Sequence, residues 1–119
     1  MRNLRIASAA RVDIQRTLEW SERQFGRQAR LRYQALIEAA LHDVQKDPER
    51  PGSLQQEALG QPDVRIWHLK YSRRTASKEY GTVSGPAHFF LYRVDNDYVM
   101  VGRLLHERMA IPSFPDEAR

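Results

Sequence analysis

At 119 residues, with 41% hydrophobic residues and no cysteine, the chain has material for one compact domain and none for disulfides, thiolate zinc sites or a cysteine nucleophile. Nineteen Lys and Arg against fifteen Asp and Glu give a net charge of +4. Only Lys46, Lys70 and Lys78 are lysines, so arginine dominates, and its planar fork suits phosphate and carboxylate partners. The longest apolar stretch, around 89–92, is far short of the roughly 18 residues a membrane span needs. Arg5 and Arg11 interrupt what would be the apolar core of a signal sequence, so a soluble cytoplasmic protein is expected.

In chain order, Leu4 and Ile6 alternate with polar neighbours over residues 3–8, which fits a short strand, and Ser8 offers a helix cap. Ala10, Ile14, Leu18 and Phe25 then recur at helical spacing and Gly26 follows as a stop. A stronger stripe, Ala29, Tyr33, Leu36, Ile37, Ala40, Leu41 and Val44, marks a second helix that Pro48 ends. One glycine between two helices predicts an antiparallel hairpin. Pro48, Pro51, Gly52, Gly60 and Pro62 make 48–63 a connecting loop with at most a turn of helix.

Composition then shifts to Val, Ile, Phe, Tyr and Trp, predicting strands over 64–74, 87–95 and 98–106. Asp95, Asn96 and Asp97 give a tight turn between the last two, and 75–86 is a longer polar excursion. Pro112 and Pro115 deny the tail 110–119 regular structure. The order β-α-α-β-β-β predicts an α+β domain spanning 1–119, with the helical hairpin packed on a small antiparallel sheet of about four strands.

His42, His68, His88 and His106 lack the local spacing of a zinc site, so neither a metal nor another cofactor is expected. There is no phosphate loop and no Gly-x-Ser-x-Gly elbow. Counting back from the turn brings His88 and His106 to within about one residue of opposition. Were they to face the same way as Tyr92, Arg93 and Arg103, they would supply a base, an acid and charge stabilisation for RNA cleavage; otherwise they are packed strand residues. Between 64 and 78, Arg65, Lys70, Arg73, Arg74 and Lys78 occur without a carboxylate, either a surface for an acidic partner or a charged edge that resists aggregation. Trp20 and Trp67 read as core or interface anchors.

Several segments together resemble the RelE/ParE superfamily of bacterial toxins from type II toxin-antitoxin systems, the ParE branch in particular. They are Ala10-x-x-Asp13-Ile14 with Trp20; Phe25-Gly26-x-x-Ala29-x-x-x-Tyr33-x-x-Leu36; Arg65 with His68; and His88-Phe89-Phe90-Leu91-Tyr92-Arg93-Val94. Most specific is Arg103-Leu104-Leu105-His106-Glu107-Arg108-Met109, similar to the family's terminal Leu-His-x-x-Met-Asp, with Ala110 standing where the acid is expected. The resemblance implies a toxin held inactive by a cognate antitoxin that wraps it, with DNA met only indirectly through that complex and no membrane role. ParE-type relatives act on DNA gyrase and block replication, whereas RelE-type relatives cut messenger RNA on the ribosome.

In the gyrase reading there is no catalytic group, and Arg103, His106, Arg108 and Met109 serve as target contacts. In the ribonuclease reading the candidates are His68, His88, Tyr92, Arg93 and His106, against which the low lysine count speaks. Arg65, Lys70, Arg73 and Arg74 are the expected antitoxin contacts. The tail is expected to add little to the core, so that truncation after Glu107 would leave a folded, antitoxin-binding protein without toxicity.

Overall fold

A computed structural model describes residues 1–56 and 63–115. Its elements are β1 (Asn3–Ile6), α1 (Ser8–Phe25), α2 (Arg27–Lys46), β2 (Leu54–Gln55), β3 (Val64–His68), β4 (His88–Val94) and β5 (Tyr98–His106), with a 3-10 turn at Leu69–Ser72. The predicted α+β order holds, and the strands lie side by side as β1-β5-β4-β3-β2. The sheet is mixed and five-stranded, because β1 pairs with β5 in parallel, Ile6 opposite Val101. Parallel pairing requires a long crossover. Here it is the helical hairpin and everything after it, a non-local partnership that local alternation does not reveal.

The two helices bury the stripes that their spacing dictates. Ala10 and Leu18 of α1, and Tyr33, Leu36, Ile37, Ala40 and Val44 of α2, pack on Trp67, Phe90, Tyr92, Val99, Val101 and Leu104 of the sheet, and Ala29 is buried as well. Leu41 is only partly buried, and Phe25, placed on the apolar stripe by its spacing, is 68% exposed. Gly26 joins the helices at φ +90°, a backbone region costly for side chains with a Cβ. The cap of α1 is Ala7 rather than Ser8; it is extended, offers no side-chain hydrogen bond, and donates its N–H to Val101 O at 2.9 Å.

Two further departures fall between the helices and the hairpin. β2, two residues long and paired with Ile66 and Arg65, is too short for alternation to register. Gly60 and Pro62 of that loop lie outside the described residues. β3 stops at His68 instead of running to 74, because the chain turns to bury Leu69 and Ser72. Ser72 Oγ accepts from Trp67 Nε1 at 2.9 Å and donates to Asp43 Oδ2 at 2.7 Å, and Thr75 Oγ1 donates to the same oxygen at 2.7 Å. A buried carboxylate on α2 thus ends the strand. Its position, seven residues after Leu36 and three after Ala40, places it on the apolar stripe.

The other face of the sheet carries a second, smaller core of Ala7, Val64, Leu91, Met100 and Phe114. Residues 110–115 contain no helix or strand, yet Phe114 is only 2% exposed, its ring 4.7 Å below the Arg93 guanidinium. The expectation that the tail contributes little to burial is therefore corrected. The tail folds back, onto the sheet face that the helices leave open, because that face is apolar and otherwise uncovered. Its seat is a bulge in β5: Leu91 pairs with Arg103 and Tyr92 with Val101, leaving Gly102 as the extra residue. A Cβ on Gly102 would lie 2.7 Å from the Phe114 ring and 2.9 Å from Pro115 Cδ. Gly102→Ala is expected to destabilise the protein by about 1–3 kcal/mol through this clash, measured by equilibrium urea unfolding.

Candidate functional site

The end of the sheet where β4 begins and β5 finishes gathers most of the ionisable chemistry. Counting from the 95–97 turn brings His88 and His106 to within about one residue of opposition, and the bulge at Gly102 sets them directly opposite across the β4–β5 pair, their rings edge to face with centroids 5.3 Å apart. They share the helix-facing side with Phe90 and Leu104. Tyr33 of α2 reaches them: its oxygen accepts the Ala87 N–H at 3.2 Å and lies 2.6 Å from His88 Nδ1. The hydroxyl thus ties the His88 ring to the backbone just ahead of β4. Burial, with smaller contributions from the neighbouring His106 and His68, pushes the His88 pKa from 6.5 down to about 4, and burial pushes Tyr33 up to about 12.

Those directions carry a stability consequence. Between pH 6.5 and about 4 the unfolded chain binds a proton at His88 that the folded chain refuses, so stability is full above the unfolded value and is lost as pH falls through the window. The loss is expected to reach about 3 kcal/mol. His88→Gln should flatten the dependence of the urea midpoint on pH across that range; an unchanged slope would mean that another group titrates.

His68 pairs opposite Phe89, one residue out of step with the His88–His106 pair, and so belongs to the other face of the sheet. Its Nδ1 accepts the Lys70 N–H at 3.1 Å and its Nε2 lies 2.8 Å from Glu107 Oε2, a contact that holds the Glu107 carboxyl below its usual range. His106 Nδ1 likewise accepts the Arg108 N–H at 3.1 Å. In all three rings, then, Nδ1 is already hydrogen-bonded.

The remaining candidates are dispersed. Tyr92 faces the helices but is fully buried at the far end of β4, where its hydroxyl meets Ser53 Oγ and donates to Pro48 O at 2.6 Å. Arg93 points to the opposite face, with Nε 2.9 Å from Asp63 Oδ2 and the guanidinium over Phe114. Arg103 forms a two-pronged pair with Asp13 of α1, Nε–Oδ2 2.6 Å and Nη2–Oδ1 3.1 Å, which raises its own pKa. Asp13 Oδ2 also accepts the Leu104 N–H at 3.0 Å, closing the β5 edge beyond the end of β1. That makes Arg103 a bracket between sheet and helix, whereas Arg108 is exposed and Met109 is 52% exposed in the turn that follows β5.

Of the expected antitoxin contacts, Lys70, Arg73 and Arg74 line one groove, joined by Lys78. Arg65 is elsewhere, donating from Nε to Ser53 Oγ at 2.7 Å and lining a cleft with Glu49, Asp63 and Asp95. Trp67 is core, as its surroundings predict, while Trp20, half exposed, stands edge to face with Phe25 at 5.7 Å. They border a groove of about 410 Å3 that ends at Tyr33 and His88. The apolar stripe and the family motifs contain Tyr33 and Glu107 but give neither a hydrogen-bonding role, and no motif in the sequence singles out Asp43. For Tyr33, a hydroxyl on a buried stripe was the available signal, since such a group needs a partner.

A scan of protein families matches residues 4–111 to the ParE toxin of type II toxin-antitoxin system, parDE. The chain belongs to this family. It is the toxin of a type II toxin-antitoxin pair, and a cognate antitoxin is its partner. No curated protein matches the toxin significantly. Among the described residues no helix of the toxin is long and apolar enough to cross a membrane. The match ends just beyond Met109, so it takes in Arg108 and Met109 and stops short of Phe114.

Proposed function

We propose that this toxin inhibits DNA gyrase by contact, without chemistry of its own, and so blocks replication until the antitoxin neutralises it. The observation that carries the reading is the state of the histidines. RNA cleavage by in-line attack needs a ring nitrogen with a free lone pair near the nucleophile, and cations on the phosphate. Here the Nδ1 lone pairs of His68 and His106 are taken by backbone N–H groups, His88 Nδ1 faces the Tyr33 hydroxyl, and Arg93 is on the other face of the sheet. Tyr92 is committed to Pro48 and Ser53.

What remains presented to a target is the turn after β5, with Arg108 and Met109 exposed beside His106. An arginine and a flexible thioether together suit anchoring in a partner's pocket. Arg103, tied to Asp13, serves by holding β5 against α1 beneath that turn.

Expression of the toxin without its antitoxin, followed by measurement of DNA synthesis and mapping of transcript ends, tests the reading. Arrested DNA synthesis with intact messages is expected. Cuts phased with codons, appearing before any replication defect, would replace it with the ribosome-dependent ribonuclease.

A further inference from the structure

Lys70, Arg73, Arg74 and Lys78 line a single open groove of about 480 Å3 with Thr82. Glu79 follows in sequence but is not part of the lining. Residues 64–78 hold Arg65 and these four cations without one carboxylate. The ion pairs among the described residues use other cations and pass all four by.

The groove is also braced. Arg73 and Arg74 lie between Ser72 and Thr75, and both of those hydroxyls donate to Asp43 Oδ2 at 2.7 Å. Thr75 and Ala76 additionally bond through their N–H groups to Ser72 O, and Lys78 Nζ donates to Arg73 O. Like charges are thus clustered on a turn pinned to a carboxylate that is only 4% exposed. Clustering costs repulsion that a bound anion relieves, and pinning lowers the entropy lost on binding. Tyr71, half exposed next to the groove with Lys70 Nζ 5.2 Å from its ring centre, adds an apolar shelf.

We infer that this groove receives an acidic stretch of the antitoxin, its carboxylates pairing with Arg73 and Arg74 and an adjoining apolar side chain resting on Tyr71. The inference rests on membership of the toxin family and is independent of gyrase as the target. A nucleic acid is the poorer fit. Duplex binding is driven by neutralising a row of phosphates along an extended track, whereas these four cations lie within a nine-residue segment around one groove.

The test titrates the full-length toxin with a short fluorescent peptide rich in glutamate and containing one leucine, with its glutamine counterpart, and with a short DNA duplex. Saturable binding of the glutamate peptide alone is expected, weakened on the order of tenfold by Arg73→Glu with Arg74→Glu and to a lesser degree by the two glutamine substitutions. The charge-matched pair Arg11→Glu with Arg23→Glu, on α1, should leave it unchanged. The groove variant should dissociate from the antitoxin at lower salt yet still inhibit gyrase as the wild type does. Tighter binding of the duplex than of the peptide, equal loss in the α1 variant, or no loss in the groove variant would each overturn the inference. Failure to inhibit gyrase by wild type and variant alike would instead count against the proposed function.

Discussion

Replacing Phe114 with alanine is expected to cost about 3–5 kcal/mol, a fall in melting temperature of roughly 10–20 °C for a domain of this size. The ring is buried between Arg93 and the Gly102 bulge, and its removal would empty the centre of the smaller core, exposing Leu91, Val64 and Met100. Thermal unfolding followed by circular dichroism checks this, and a shift of only a degree or two would mean that the tail does not rest on the sheet. The same geometry changes what truncation after Glu107 reports. Such a chain loses Ile111 and Phe114 together with Arg108 and Met109, so lost toxicity would mix lost folding with lost contact. Point substitutions in the turn separate the two.

Asp43→Ala is expected to be comparably severe, about 3–5 kcal/mol, because one carboxylate serves several partners. Ser72 and Thr75 donate to Oδ2, and Arg50 Nη1 sits 3.4 Å from Oδ1. Deleting the acid leaves the fully buried Ser72 hydroxyl without its acceptor and takes an anionic partner from Thr75 and Arg50, and the Trp67 indole loses the support of the Ser72 hydroxyl to which it donates. Equilibrium urea unfolding gives the magnitude, and faster amide exchange confined to residues 69–76 would localise it. A loss below about 1 kcal/mol would show that the network is dispensable. Asp43→Asn, which keeps an acceptor oxygen, should be milder.

How far these features can be read without coordinates depends on the range of the interaction that fixes them. The helical hairpin and the β4–β5 pair are written in local periodicity and a short turn, which bring His88 and His106 to within one residue of opposition; the bulge at Gly102 supplies the last step. Sheet parity also separates Arg93 from Tyr92, as alternation requires. Beyond that range the pattern is silent. β1 joins the sheet beside β5, across most of the chain, and the early end of β3 is dictated by Asp43, a residue two elements away. Phe114, flanked by prolines, looks like surface until the open face of the sheet is seen to need a cover. The candidate site divides likewise: the groove of Lys70, Arg73 and Arg74 is contiguous in sequence, while Arg65 is drawn off by Ser53 from a loop with no legible structure.

The central claim is that the toxin acts on gyrase through the turn after β5 and not through catalysis. Supercoiling by purified gyrase, assayed with wild-type toxin and with the Arg108→Ala, Met109→Ala double variant, tests it most directly. Inhibition by the wild type is expected, with its loss in a variant whose melting temperature and antitoxin binding are unchanged, since both side chains are exposed. Undiminished supercoiling at a large excess of folded wild-type toxin would contradict it.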